Sequence, residues 1–259
     1  MMLLRYTLQD AYDWADFSGD HNPVHFDMSW VKAHGGNALS VHGMRALLDM
    51  KRFISSECDG SPLLKCSVRL RKPLLCDISY QLICYSKNIA AAKVVERMDG
   101  PTHFSCQLTA EDSAMLSISD GIYTLEGAQL ADICKSFAKF MPDIQQWIFL
   151  DALLFRHLIQ DDTVIHHADI VGHFPNGINL NDLFLHYTVV QTHQETVFDS
   201  ALLASWEWSE TYDVLHIETL PAVVVGDLQR NGVIRIAAKT HFKNSTITSA
   251  FTLKVGAID

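Results

Sequence analysis

The sequence predicts an α+β protein built from two copies of one unit, each an antiparallel sheet wrapped around a central helix. Two observations predict this fold class. Short sequence matches recur in the same order about half a chain apart, which indicates an ancient duplication. In each half, one apolar segment of helical periodicity is accompanied by several strand-like segments, as expected for antiparallel sheets packed on a helix.

The repeat consists of three short matches whose offset changes along the chain. The first match is offset by 117 residues and the second by 106, so the second copy lacks about 11 residues between its first strand and its helix. We therefore predict a first unit at 1–115 and a second at 116–259. The matched segments are Tyr6-Thr7-Leu8-Gln9-Asp10-Ala11 with Tyr123-Thr124-Leu125-Glu126-Gly127-Ala128, Ala46-Leu47-Leu48 with Ala152-Leu153-Leu154, and Asp77-Ile78 with Asp182-Leu183.

Hydrophobic periodicity predicts the elements of each copy. The central helices are expected at 44–54 and 142–158, where apolar residues recur every three or four positions. Joining the two sheets edge to edge would bury an edge that each half alone leaves unpaired. The region 193–232 has no counterpart in the first copy and is predicted to be an inserted hairpin. Strands are expected at 63–72, 78–86, 89–98 and 103–110, and again at 164–174, 183–192, 197–208, 214–225, 233–242 and 246–255.

Composition and charge narrow the function classes. A net charge of −10 argues against nucleic acid as a partner, because nucleic-acid binding needs a basic face. No apolar run is long enough to span a membrane, and the N-terminus does not resemble a signal peptide. The six cysteines lack any C-x-x-C pair and predict reduced thiols, which together favour a cytoplasmic protein.

The most informative segment carries an acid and an imidazole five residues apart on a tight turn. Asp20 and His25 flank Asn22-Pro23, and His42-Gly43 follows 17 residues after His25 at the start of the first central helix. An acid and an imidazole beside a helix N-terminus can hold a water and stabilise a developing oxyanion. The full segment is Phe17-Ser18-Gly19-Asp20-His21-Asn22-Pro23-Val24-His25-Phe26-Asp27.

Structural explanations for these residues stay open beside the chemical ones. Asp20 and Asn22 can serve turn formation by bonding their own backbone. Gly43 can serve close packing of the helix rather than donate its N–H to an oxyanion. In the second copy, the alignment sets Phe149 opposite Gly43 and lacks the acidic turn, so that copy is expected to be chemically silent.

The sequence resembles the MaoC-like, (R)-specific enoyl-CoA hydratase family, also called hydratase 2, at several positions. They are the Asp20–His25 segment with the downstream His42-Gly43, Gly36, and Arg71-Lys72-Pro73-Leu74-Leu75-Cys76-Asp77. The resemblance covers about 1–112. It implies a double hot-dog fold and a lyase of fatty acid metabolism that hydrates 2-enoyl-CoA to (3R)-hydroxyacyl-CoA, or dehydrates it in reverse. It implies no cofactor and no metal. It also implies that Asp20 and His25 hold the reacting water, with Asn22 orienting and Gly43 binding the oxyanion.

The expected substrate is an acyl-CoA or acyl-carrier-protein thioester. Its phosphates could be met by Lys65, Arg69, Arg71 and Lys72, although a solvated strand face explains these cations equally well, and His42 is expected to line the pocket. A histidine group at His166, His167 and His173 lacks the spacing of a zinc site. The alternatives are a hot-dog thioesterase, which would cleave the thioester with the same water, and a non-catalytic acyl-thioester-binding subunit. A homodimer is possible, as is a monomer, because one chain already supplies two repeats.

Overall fold

The computed structural model describes residues 1–55, 61–86, 90–113, 121–161, 164, 180–209, 211–227 and 232–256. Within these residues the helices are α1 (Leu8–Ser18), α2 (Met28–Ala33), α3 (Gly43–Ser55), α4 (Gly127–Ala138), α5 (Gln146–Gln160) and α6 (Leu180–His186). The strands are β1 (Met2–Arg5), β2 (Leu63–Leu70), β3 (Ser79–Cys84), β4 (Ala90–Val95), β5 (Thr102–Ala110), β6 (Gly121–Leu125), β7 (Thr188–Asp199), β8 (Leu215–Val225), β9 (Gly232–Phe242) and β10 (Ser245–Gly256).

The described strands form one continuous antiparallel sheet with a mirrored order. The order is β1-β3-β4-β5-β2-β7-β10-β9-β8-β6. Reading inward from either edge gives the same sequence of strands, with β1 to β5 in one half and β6 to β10 in the other. Helix α3 packs against β4 and β5, and α5 packs against β9 and β10, so each half has its own central helix and the predicted α+β, double hot-dog fold class is confirmed.

The two central helices form the middle of the hydrophobic core. In α3 the apolar side chains recur at helical spacing, and Met44, Leu47, Met50 and Ile54 are all buried. Helix α5 is buried on nearly every side, including Trp147, whose ring stacks on Phe198 of β7 at a centroid distance of 4.4 Å. A helix that is apolar all round belongs in a core, and α5 lies there.

Strands β2 and β7 form the seam between the halves. They pair from Leu63↔Asp199 to Arg69↔His193, and beyond Arg69 and His193 the pairing stops. At the opposite end the seam is closed, because Ser200 donates its backbone N–H to the Pro62 carbonyl at 2.9 Å. The seam is therefore open at one end, next to the start of α3.

A buried ion pair joins α3 to α5. Lys51 Nζ lies 2.5 Å from Asp151 Oδ2, and neither side chain is exposed. The other carboxylate oxygen, Oδ1, accepts hydrogen bonds from Gln194, Thr196 and Ser249 at 2.6–2.7 Å. The charges are thus fully paired inside the core, as a buried ion pair requires.

Helices α1, α2, α4 and α6 were not predicted, and two of these, α1 and α4, occupy matching places in the two halves. Each directly follows an edge strand, and in each the repeated Tyr-Thr-Leu segment marks the strand-to-helix transition. The Asp10 carboxylate accepts the Thr7 backbone N–H at 2.9 Å, and Gln129 does the same for Glu126 at 3.0 Å. These contacts are the reciprocal capping pattern of a helix start.

Two strand predictions in the second half, at 183–192 and 197–208, were wrong in extent. The strand expected at 183–192 starts only at Thr188, because helix α6 occupies 183–186, and β7 ends at Asp199, where a 3₁₀ turn (Ser200–Leu203) begins. The region 193–232 is not an inserted hairpin, since it holds most of β7 and all of β8, which match β2 and β3 in the mirrored order. Helix α5 starts at Gln146, three residues before Phe149, which the repeat alignment sets opposite Gly43. The expected strand 164–174 lies almost wholly outside the described residues.

The cysteines at 66, 76, 84, 106 and 134 are free thiols, and position 58 lies outside the described residues. Among the described helices, none combines the length and hydrophobicity needed to cross a membrane.

Candidate active site

The site begins where α1 ends. Gly19 adopts a left-handed conformation (φ 79°) and donates its N–H to Ala15, which stops the helix. A side chain there would also meet Gln160, whose Nε2 lies 2.6 Å from an added Cβ. Asn22 then caps a 3₁₀ turn by accepting the Val24 N–H at 3.2 Å, with Pro23 preset for that turn. The loop is therefore fixed by its own backbone bonds.

Asp20 is buried in this loop. Its Oδ1 accepts the Asn22 backbone N–H at 3.2 Å, and its own N–H donates to Ser18 Oγ at 3.1 Å. Burial raises the pKa of the Asp20 carboxyl to about 6, and the bond from Asn22 opposes this shift only in part. Near neutral pH the carboxylate is ionised, yet it remains a usable proton acceptor.

His25 is buried with one nitrogen committed. Its Nδ1 lies 2.7 Å from the carbonyl oxygen of Ser40, which can only accept, so Nδ1 carries the proton. Nε2 therefore bears a lone pair. Burial lowers the pKa of His25 to about 4, against a smaller opposing effect of the Ser40 bond, so the ring stays neutral near pH 7.

His42 packs directly on His25. The two rings stack at a centroid distance of 3.6 Å, and His42 Nε2 donates to the Asp20 carbonyl oxygen at 3.1 Å. Burial, with His25 nearby, lowers the pKa of His42 well below its usual value. Its Nδ1 is buried without a hydrogen-bond partner. His42 thus holds both the ring of His25 and the backbone of Asp20.

Ligand atoms of Asp20, His25 and His42 all lie within 4.8 Å of one another. This spacing alone would suit a metal ion, but the ring geometry does not. The rings are only 28° from parallel, so an ion in the plane of one ring would lie roughly the stacking distance away from the plane of the other. Metal–imidazole bonds are about 2.1 Å and lie in the ring plane. The arrangement fits a shared water better than a metal.

Asp20 and His25 face a cavity of about 440 Å³. Gly43, the first residue of α3, lines it beside them, and the first N–H groups of a helix have no acceptor within the helix. A Cβ on Gly43 would lie 2.8 Å from Leu70 and 3.3 Å from the Gln191 side chain. Only glycine, which has no side chain, lets Leu70 and Gln191 lie so close to the backbone at the start of α3 and leaves that backbone open to the cavity.

The cavity opens at the unpaired end of the seam. Its two lips are 70–73, at and just after the end of β2, and 187–192, at the start of β7, where the two strands no longer pair. The far wall is apolar and comes largely from the second half. It includes Phe104, Phe155, Phe184 and Leu253.

The predicted cations separate into two groups. Arg71 and Lys72 lie at the mouth of the cavity, whereas Arg69 lies on the outer sheet face next to it. Lys65 lies four residues before Arg69 on β2, further from the mouth, and forms an ion pair with Glu195 at 3.0 Å. The histidine group at 166, 167 and 173 lies outside the described residues.

Sequence reasoning did not identify Ser40, Gln191 or the aromatic wall as parts of the site. Ser40 acts through its backbone carbonyl, which no side-chain motif reveals. The wall residues look like ordinary core positions in the sequence. Their only signal is the apolar pattern of α5 and α6, which a core would also produce.

No family model matches the sequence, and no curated protein matches it. Solved structures with a similar arrangement include a MaoC-like dehydratase, with a TM-score of 0.45 and 10% identity over 98% of this chain and 95% of that one. A hot-dog protein of unknown function from Alicyclobacillus acidocaldarius has a TM-score of 0.43 and 10% identity over 90% of each chain. An acyl-CoA thioesterase II from Mycobacterium marinum has 0.41 and 7% over 83% of this chain and 89% of that one. The fold assignment itself rests on strand order and register.

Proposed function

We propose that the protein is a lyase that adds water across the double bond of a 2-enoyl thioester, or removes it from the 3-hydroxyacyl thioester. One observation carries this proposal. An ionised carboxylate (Asp20) and the free Nε2 of a neutral imidazole (His25) face one cavity beside the N-terminus of a buried helix. This is the arrangement that general-base activation of a single water needs.

In the hydration direction, Asp20 and His25 hold one water between them. The water oxygen forms a bond to C3 while its proton passes to His25 Nε2, and the electron pair of the C2=C3 bond moves toward the thioester oxygen. The N–H of Gly43 binds that oxygen, where the helix dipole favours negative charge. His25 then returns the proton to C2, so the elements of water are added and the enzyme is unchanged.

The remaining site residues position these groups. Asn22 fixes the loop through Val24, and the Ser40 carbonyl sets the tautomer of His25. The apolar wall, with Phe155 and Phe184, is suited to an acyl chain, and it excludes bulk water from the reacting atoms. The resemblance of the Asp20–His25 segment to hydratase 2 supports a (3R)-hydroxyacyl product and a CoA or carrier-protein thioester.

The test uses crotonyl-CoA and the loss of absorbance of its conjugated double bond. Asp20→Asn and His25→Ala should each lower kcat/KM by about 10³-fold or more, because each removes one of the two groups that hold the water. Matched controls are Asp16→Asn and His21→Ala, which change the same residue types at exposed positions nearby. These controls should retain activity.

Other outcomes would overturn the proposal. Release of free thiol without loss of the double bond would indicate a thioesterase, in which the same water attacks the thioester carbonyl. Binding of acyl-CoA without turnover of any thioester would indicate a non-catalytic binding subunit.

A further inference from the structure

A row of polar side chains crosses the outer face of the sheet at the last pair of the seam. Strand register sets Ser105, Arg69, His193, Thr252 and Arg235 side by side on five neighbouring strands. Directly paired residues of antiparallel strands point to the same face. The row therefore joins a cation of the first half, Arg69, to a cation of the second half, Arg235.

These residues line a groove of about 470 Å³ on that face. Arg71 reaches over it and donates from Nη1 to Ser105 Oγ at 2.7 Å. Arg71 also lines the active-site cavity. The groove thus begins at the mouth of the cavity, and a ligand that leaves the cavity through the seam meets it first.

The groove has more positive charge than its carboxylates can balance. Glu195 is the acidic residue lining it, and it is held by Arg235 at 2.7 Å and by Lys65 at 3.0 Å. Among the described residues, neither Arg69 nor Arg71 forms an ion pair. On a chain with a net charge of −10, this local excess marks a place for an anion.

We propose that this groove binds the phosphate-bearing nucleotide end of the thioester substrate, with Arg69, Arg71 and Arg235 as its cations. The inference rests on the proposed function, in which the thioester occupies the cavity and its carrier end leaves through the seam. A small nucleotide fits better than an acidic carrier protein, because the cations are confined to one groove while the chain as a whole repels a broad acidic surface. Arginine suits phosphate because its planar group donates two parallel hydrogen bonds.

Calorimetric titration with free CoA tests the groove without any chemistry. Arg69→Gln and Arg235→Gln should each weaken CoA binding about tenfold, since a charge-assisted contact to phosphate is lost. Lys239→Gln is the matched control. Lys239 lies on the same strand and face as Arg235 but outside the groove, so its removal should leave CoA affinity within about twofold.

A second measurement separates the groove from the catalytic proposal. Arg69→Gln should raise KM for crotonyl-CoA about tenfold and leave KM for crotonyl-pantetheine, which lacks the phosphates, unchanged. Equal effects on both thioesters, or unchanged CoA binding in both arginine variants, would overturn the proposal that the groove binds the nucleotide end of the substrate. Unchanged CoA binding together with lost binding of an acyl carrier protein would also overturn it. If the wild type turns over neither thioester, the proposed function fails, while the titration still decides whether the groove binds CoA.

Discussion

At the scale of single residues, the site depends on two opposite pKa shifts with one cause. Burial favours the neutral form of any group, so it raises the pKa of Asp20 to about 6 and lowers that of His25 to about 4. Above about pH 6, the higher of the two values, both groups are deprotonated and can accept a proton. The proposed mechanism needs this state, an ionised carboxylate beside a neutral imidazole.

This state predicts the pH dependence of hydration. The free enzyme should lose kcat/KM below about pH 6, approaching tenfold per pH unit, as Asp20 takes up a proton. Above pH 7 the profile should be flat, because His25 and His42 are already neutral. The measurement is the initial rate with crotonyl-CoA from pH 4.5 to 9, with circular dichroism at each pH as the control for folding.

The direction in which kcat/KM changes with pH near pH 6 distinguishes two roles for Asp20. An activity that falls as the pH rises through 6 would mean that the protonated carboxyl is the active form and acts as a proton donor. That result would contradict the assignment of Asp20 as a carboxylate that orients the water.

The Asp20–His25 pair and Gly43 could be predicted from sequence because they lie within 24 residues and keep their types and spacing. The roles of Ser40 and His42 could not be derived in this way. Ser40 contributes a carbonyl that any residue has, and the stacking of His42 on His25 depends on the angle at which α3 enters the core. His42 was expected only to line the pocket, whereas the structure places it beneath the pair.

At the scale of elements, the start of α3 is the feature that joins fold to chemistry. Gly43 lies where the helix presents unpaired N–H groups to the cavity, and its missing side chain leaves room between Leu70 and Gln191. The same helix continues through the core as an apolar rod. Its rigidity fixes the direction of those N–H groups.

Gly43→Ala should therefore lower kcat/KM for crotonyl-CoA by about 10²-fold, since the added methyl group would crowd Leu70 and Gln191 beside the N–H that is proposed to bind the thioester oxygen. The melting temperature should change little, because the nearest atom is the end of the flexible Leu70 side chain. Gly121→Ala is the control, as nothing lies within 4 Å of its added Cβ. Full activity in Gly43→Ala would leave Gly43 with a packing role only.

Element boundaries also show where sequence patterns were insufficient. The alternation in β2 was clear, and β2 was predicted to within two residues of its observed end. Helices α1 and α4 were not predicted because the repeated Tyr-Thr-Leu has a strand-like pattern, although Thr7 and Asp10 already have the spacing of a helix cap. The cavity wall was out of reach for another reason. The lips at 70–73 and 187–192 meet only through the pairing of two strands far apart in the chain.

At the scale of the whole molecule, the two halves are joined by the seam and by the buried pair Lys51–Asp151. The pair spans from α3 to α5, and the polar side chains of Gln194, Thr196 and Ser249 complete it from the two strands of the second half. Because every donor and acceptor in this cluster depends on the others, the cluster also fixes how the two helices align.

Lys51→Met should destabilise the protein by about 3–5 kcal/mol, because it leaves the Asp151 carboxylate buried without a counter-charge. The double variant Lys51→Met with Asp151→Asn should recover part of that loss, because no uncompensated charge remains and the amide oxygen can still accept the hydrogen bonds that reach Asp151. Chemical denaturation measures both. Lys135→Met is the control, as it removes an exposed ion pair with Asp132 and should change the free energy of unfolding by less than about 1 kcal/mol.

A loss below 1 kcal/mol in Lys51→Met would contradict this role. It would mean that the remaining hydrogen bonds to Asp151 suffice.

The pairing of β2 with β7 has a consequence for biosynthesis. The partner of Arg69 is translated more than 120 residues after it, so a nascent first half carries a bare strand edge for roughly 6 to 25 s at ordinary elongation rates. Such an edge is a template for aggregation, and charged side chains along a strand are a known protection. Lys65 and Arg69 stand on that strand. Lys65 and Arg69 are therefore also expected to disfavour edge-to-edge aggregation of the half-made polypeptide until its second half is synthesised.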